Sequence, residues 1–148
     1  MKRFALSALL TAICIASVAA GATATQTQDR VILKTILTGA AEVPGPGDPD
    51  GIGKAKIKLA VGGSTICFKL RVAHITLPAT GAHIHAAPVG VAGPVVVPLT
   101  PPDASGRSHG CVTADPALVA AIIHHPDQYY VNVHTTDFPG GAIRGQLG

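Results

Sequence analysis

Strict two-residue alternation over Lys54-Ala-Lys-Ile-Lys-Leu59 most narrows what this chain can fold into. Successive side chains of a strand point to opposite faces, so the three lysines share one face and Ala55, Ile57 and Leu59 the other. A strand with one wet and one buried face belongs to an antiparallel sheet rather than a parallel one. Gly62-Gly63 follows as a hairpin signal, and residues 65–75 form the return strand. Residues 30–38 alternate in the same way ahead of a Gly/Pro/Asp turn at 45–51. Further short runs rich in β-branched residues stand at 82–84, 94–99, 107–112, 129–135 and 142–147. One helix is signalled near 116–125. Asp115 is its N-cap, Pro116 takes the first helical position, and Pro126 stops it. Many short strands with Gly/Pro turns predict an all-β fold, an antiparallel sandwich or barrel.

The start of the 148-residue chain reads differently. Lys2 and Arg3 precede an uncharged apolar run at 4–20, and Ala20-Gly21-Ala22 is a small-residue cleavage pattern. This predicts a cleaved signal peptide over 1–22, a disordered polar lead over 23–29, and a single domain over 30–148. The protein is then exported: secreted, periplasmic or in the cell envelope, with no membrane attachment after cleavage. Without Lys2 and Arg3 the formal charge falls from +3 to +1. Lys54, Lys56 and Lys58 are the only basic cluster in the sequence, and their alternation reads as a solvated strand face. With no tryptophan to stack on bases, nucleic acid is not an expected partner.

Cys14 lies in the leader, which leaves Cys67 and Cys111. In an oxidising compartment an even pair is most simply a disulfide, here closing a loop of about 44 residues for roughly 4 kcal/mol. A thiolate metal ligand or a reactive nucleophile is the competing reading.

Chemistry is suggested chiefly by histidines. His83 and His85 in Gly81-Ala-His-Ile-His85 are two apart, so both rings face one side of a strand. His134 ends the strand-like run Tyr129-Tyr-Val-Asn-Val-His134. If the strands are neighbours, three imidazoles converge in a set suited to one zinc or copper ion. The alternative is structural: the three rings hydrogen-bond to loop carbonyls and fix the sheet end.

Five segments, taken in order, resemble one family. Leu37-Thr-Gly-Ala-Ala-Glu-Val-Pro44, Ala82-His-Ile-His85, Gly93-Pro-Val-Val-Val97, Tyr130-Val-Asn-Val-His-Thr135 and Gly140-Gly-Ala-Ile-Arg-Gly-Gln146 are similar to the motifs of the CHRD domain family. The resemblance runs from about Val31 to Leu147. It implies an all-β fold like that of the secreted single-domain microbial members of a family named for chordin, an extracellular growth-factor antagonist. The Gly-Ala-His-Ile-His and Gly-Pro-Val-Val-Val stretches also resemble copper/zinc superoxide dismutases, of whose ligands only a His-x-His and one late histidine can be matched. The expected sheet is accordingly immunoglobulin-like or superoxide-dismutase-like.

Within those motifs, Glu42 and Arg144 are expected to form a bidentate ion pair tying the first loop to the last strand. A place for Glu42 behind a histidine, orienting it, is the other option. Asn132 shares the face of His134. His74, His109, His124 and His125 lack partners at useful spacing, the last two sitting where a cation favours the helix dipole. Catalytic residues are not expected: there is no Gly-x-Ser-x-Gly, no phosphate-cradling loop and no shared carboxylate pair. The favoured function is a non-catalytic module binding an extracellular or envelope protein or glycan. A zinc- or copper-dependent enzyme, for example superoxide-dismutase-like, is the alternative.

Overall fold

The computed structural model describes residues 29–148. The expected signal peptide at 1–22 and all but the last residue of the lead at 23–29 lie outside the described residues. Eight strands form one antiparallel sheet: β1 (Arg30–Thr38), β2 (Ile52–Ala60), β3 (Thr65–Ala73), β4 (Gly81–Ala86), β5 (Val95–Leu99), β6 (Arg107–Thr113), β7 (Tyr129–His134) and β8 (Ile143–Gln146). Their order is β5-β4-β7-β8-β1-β2-β3-β6, which curls into a nearly closed barrel. The free edges, β5 and β6, are drawn together where the Ser108 hydroxyl donates to the Thr100 carbonyl. The expected all-β antiparallel architecture is therefore what the chain adopts.

The sheet is pinched in the middle. β1 and β2 pair along their whole length, whereas β8 and β1 share the single register pair Thr38↔Arg144. Two four-stranded halves result, β5-β4-β7-β8 and β1-β2-β3-β6, and their inner faces supply one core. Leu37, Ile57, Leu59, Ile66 and Leu70 come from one half, and Ile84, Val97, Val131, Val133 and Ile143 from the other, all at most 2% exposed. The alternation in Lys54–Leu59 does what its period requires: Ala55, Ile57 and Leu59 are buried and the lysines point out.

Helix α1 (Pro116–His124) packs against β2 and β3 through Val119 and Ile122, which are fully buried. The Asp115 carboxylate accepts a hydrogen bond from Ala117 N at 2.7 Å, as an N-cap should. His124 lies in the last turn and His125 is the C-cap residue. Two short 3-10 turns, Gly39–Ala41 and Pro126–Gln128, add to the expected elements. Cys67 and Cys111 face each other in register on β3 and β6 and form the disulfide, so neither is a free thiolate. Among the described residues no helix is long and apolar enough to cross a membrane.

Candidate metal centre

β4 and β7 are neighbours, with Gly81 opposite His134, His83 opposite Asn132 and His85 opposite Tyr130. Their core-facing residues are Ala82, Ile84, Val131 and Val133, so period two turns His83, His85, Tyr130, Asn132 and His134 to the outer face. The three imidazoles meet there. His83 Nδ1 lies 3.2 Å from His134 Nε2, and ligand atoms of all three rings lie within 4.8 Å of one another. Tetrahedral coordination with bonds near 2 Å places nitrogens about 3.3 Å apart. The His83–His134 pair already has that spacing; His85 must close in by roughly 1.5 Å, within the reach of small side-chain rotations.

Backbone carbonyls fix how two of the rings are protonated. His85 Nδ1 donates to Gly93 O at 2.8 Å, and His134 Nδ1 donates to Pro139 O at 2.9 Å. In each neutral ring the Nε2 lone pair is thereby left facing the cluster, an arrangement typical of metal-binding histidines. His134 Nε2 takes a hydrogen bond from His83. His85 Nε2 is buried and has no hydrogen-bond partner. Burial holds His83 below the usual imidazole range, and His134 and His85 reinforce the effect. Burial also lowers His134, against a contrary pull from the Pro139 carbonyl and with a further lowering by His85. Neutral rings are the ligating form.

A stacked column supports the cluster. The His85 ring lies parallel to Tyr130 at 4.7 Å, and the Arg144 guanidinium sits 3.4 Å over the other side of the network, on the Tyr130 ring. Gly93 holds the column from above: its N–H donates to Tyr130 Oη at 3.2 Å while its carbonyl receives His85. A Cβ on Gly93 would lie 2.1 Å from Ala86 O, so only glycine allows this approach.

The expected Glu42–Arg144 ion pair is not formed. Arg144, 2% exposed, donates from Nη1 to Val91 O at 2.9 Å and from Nη2 to Pro88 O at 3.0 Å, with Gln146 Oε1 at 3.4 Å. Its fork straps down the loop at 87–93, supplying the Val91 carbonyl with a donor and adding a second to Pro88 O, which also accepts from Val91 N at 3.3 Å. Arg144 acts on Glu42 only through its charge. Glu42 is itself buried, Oε1 has no partner, and burial pushes its carboxyl up to about 7 despite Arg144, Asn132 and the Val43 amide. His74 does have a partner, an exposed contact with Asp50 at 3.5 Å. His109, on β6, stands apart from the cluster.

Sequence reasoning brought together His83, His85 and His134 but missed Gly93, Pro139 and Tyr130. The signal for Gly93 was its place in Gly-Pro-Val-Val-Val; Pro139 acts through its carbonyl, which no side-chain pattern marks. Comparison with known proteins gives one finding: a family model for the CHRD domain matches residues 33–147. No curated protein and no solved structure matches the chain.

Proposed function

The chain belongs to the CHRD domain family, and from that premise we propose that it is an exported binding module holding one zinc or copper ion on His83, His85 and His134. The observation that carries this reading is the orphaned His85 Nε2 beside two other imidazoles. A buried acceptor without a donor costs about 1–3 kcal/mol, and an ion that accepts its lone pair removes that cost. The carbonyls of Gly93 and Pro139 hold two rings in the ligating tautomer in advance. Export is supported by the basic start and apolar run of the leader sequence and by the Cys67–Cys111 disulfide.

Three protein nitrogens leave a fourth position for water, and that count favours one second reading, a zinc- or copper-dependent enzyme such as a superoxide-dismutase-like one. When bound, such an ion supplies Lewis acidity or redox capacity. The protein's part is to orient three imidazoles and to shield His85 under the loop at 87–93.

Elemental analysis of untagged protein from its native compartment, with calorimetric titration of zinc and copper at pH 7.5, tests the site. One equivalent should bind to the parent and none to His85→Ala. A parent that takes up neither ion, or a variant with equal content, sinks the proposal. Superoxide and hydrolase assays on the loaded parent then separate binder from enzyme.

A further inference from the structure

The second half of the sheet carries an independent surface. Register aligns cations across its strands: Lys34, Lys56, Lys69 and His109 stand directly opposite one another on β1, β2, β3 and β6. A second row runs Ile36, Lys54, Arg71 and Arg107. With Arg30 and Lys58, eight of the nine Lys and Arg among the described residues lie on these four strands, and none of the eight Asp and Glu does. The ninth, Arg144, is buried elsewhere. Among the described residues the one ion pair is His74–Asp50; Asp103 reaches the rows only at their β6 end, where it accepts from the Arg107 amide and feels its charge.

Like charges placed directly opposite on a sheet destabilise it. A fold that needed only solubility would intersperse both signs. The small net charge of the chain hides this segregation. The rows have the spacing of the sheet, about 4.8 Å between strands and about 6.7 Å between alternate residues along one. Two shallow depressions of about 410 and 640 Å³ lie along them and share Lys56 and Lys69.

We propose that the outer face of β1-β2-β3-β6 is a docking surface for an acidic polysaccharide, a linear glycan carrying carboxylate or sulfate groups. The face offers an extended lattice of ammonium and guanidinium groups suited to a regularly charged chain, with exposed apolar contact at Ile32 and Ile36 on β1 and at Ile52 where β2 begins. It presents no outward phenyl, phenol or indole ring for stacking bases, Phe68 being in the core and the His109 imidazole standing alone on β6. Nor has it the helix or inserted arm that reads a nucleic-acid groove, or the aromatic and leucine-rich face that seats in a membrane. The Cys67–Cys111 bond ties the free-edge strand β6 of this face to its neighbour β3. The inference goes beyond the metal site and is independent of it.

The test uses metal-stripped protein purified from its native compartment and fluorescent oligomers of a polyuronate and of a sulfated dextran. Neutral dextran, duplex DNA and vesicles with anionic lipid are run beside them. Lys56→Gln/Lys69→Gln/Arg71→Gln is compared with a charge-matched control, Ala104→Glu/Ala117→Glu/Ala120→Glu, whose sites are exposed and off the face. At least one acidic oligomer should bind the parent, at least tenfold more weakly to the first variant and within twofold to the control, with affinity falling steeply with salt. The carboxylate and sulfate arms tell which group is preferred. Because the variant relieves like-charge opposition, it should melt no lower than the parent. No binding to either acidic oligomer, equal loss in the control, or tighter binding to DNA or vesicles overturns the proposal.

Discussion

Replacing Glu42 by glutamine should stabilise the protein, and only where the carboxyl would be ionised. Glu42 is 6% exposed, its Oε1 has no partner, and its carboxyl sits at about 7 instead of 4.5. A folded state that holds this proton more tightly than the unfolded chain is favoured below pH 4.5, loses that advantage as pH rises, and has lost it fully above 7. At full burial the shift corresponds to about 3 kcal/mol. Discounted for solvent reaching part of the group, about 1–2 kcal/mol is expected. Glutamine keeps the shape, removes the charge, and leaves an amide oxygen that can still accept from the Asn132 side chain. Equilibrium urea unfolding of disulfide-intact protein, with chelator present, measures both forms at pH 4.5, 6 and 8. The difference should be near zero at pH 4.5 and reach about 1–2 kcal/mol in favour of the variant at pH 8, with unchanged m-values. A pH-independent difference, or a more stable parent at pH 8, refutes the assignment of an uncompensated buried carboxyl.

Gly93→Ala should cost about 2–3 kcal/mol by forcing Cβ against the Ala86 carbonyl, read from its urea midpoint; a neutral variant would show that the approach relaxes freely. Cys67→Ser/Cys111→Ser should lose up to about 4 kcal/mol, since the bond spans 44 residues, and an unchanged melting temperature would contradict this. His83 and His134 are held below the usual imidazole range, so their contribution is present above the unfolded pKa and lost as pH falls from there through the lower folded pKa. The His83→Gln/His134→Gln variant of chelator-treated protein should therefore lose less stability than the parent between pH 7 and 5. Asp115→Ala should cost about 1 kcal/mol in the same unfolding assay.

Local pattern made much of the fold legible. Alternation located β1 to its ends, and the Asp115-Pro116 start placed α1 because N-capping is decided within three residues. The histidine cluster was legible because i,i+2 spacing fixes a common face, and it needed only that β4 and β7 be neighbours. Glu42 and Arg144 were misjudged for a physical reason. Opposite charges in two motifs suggest a pair, but a guanidinium buried beneath a loop satisfies carbonyls there, and those loop contacts leave no sequence pattern. The basic face escaped notice in the same way. Lys54, Lys56 and Lys58 show one strand of four; alignment with Lys34 depends on register across the long 39–51 connection, and with Lys69 and Arg71 on the exact register of the Gly62-Gly63 hairpin.

The single pair Thr38↔Arg144 at the waist of the sheet has a thermodynamic consequence. Since the two halves give their inner faces to one core, their outer faces look away from each other. A ligand spread over the lysine rows casts no steric shadow on the histidines, and their separation by a packed core weakens any field effect between them. Occupancy of one face should therefore leave the dissociation constant on the other almost unchanged. On these two proposals the molecule would be saturated on both sides at once, in either order, as a two-sided adaptor whose binding events simply multiply.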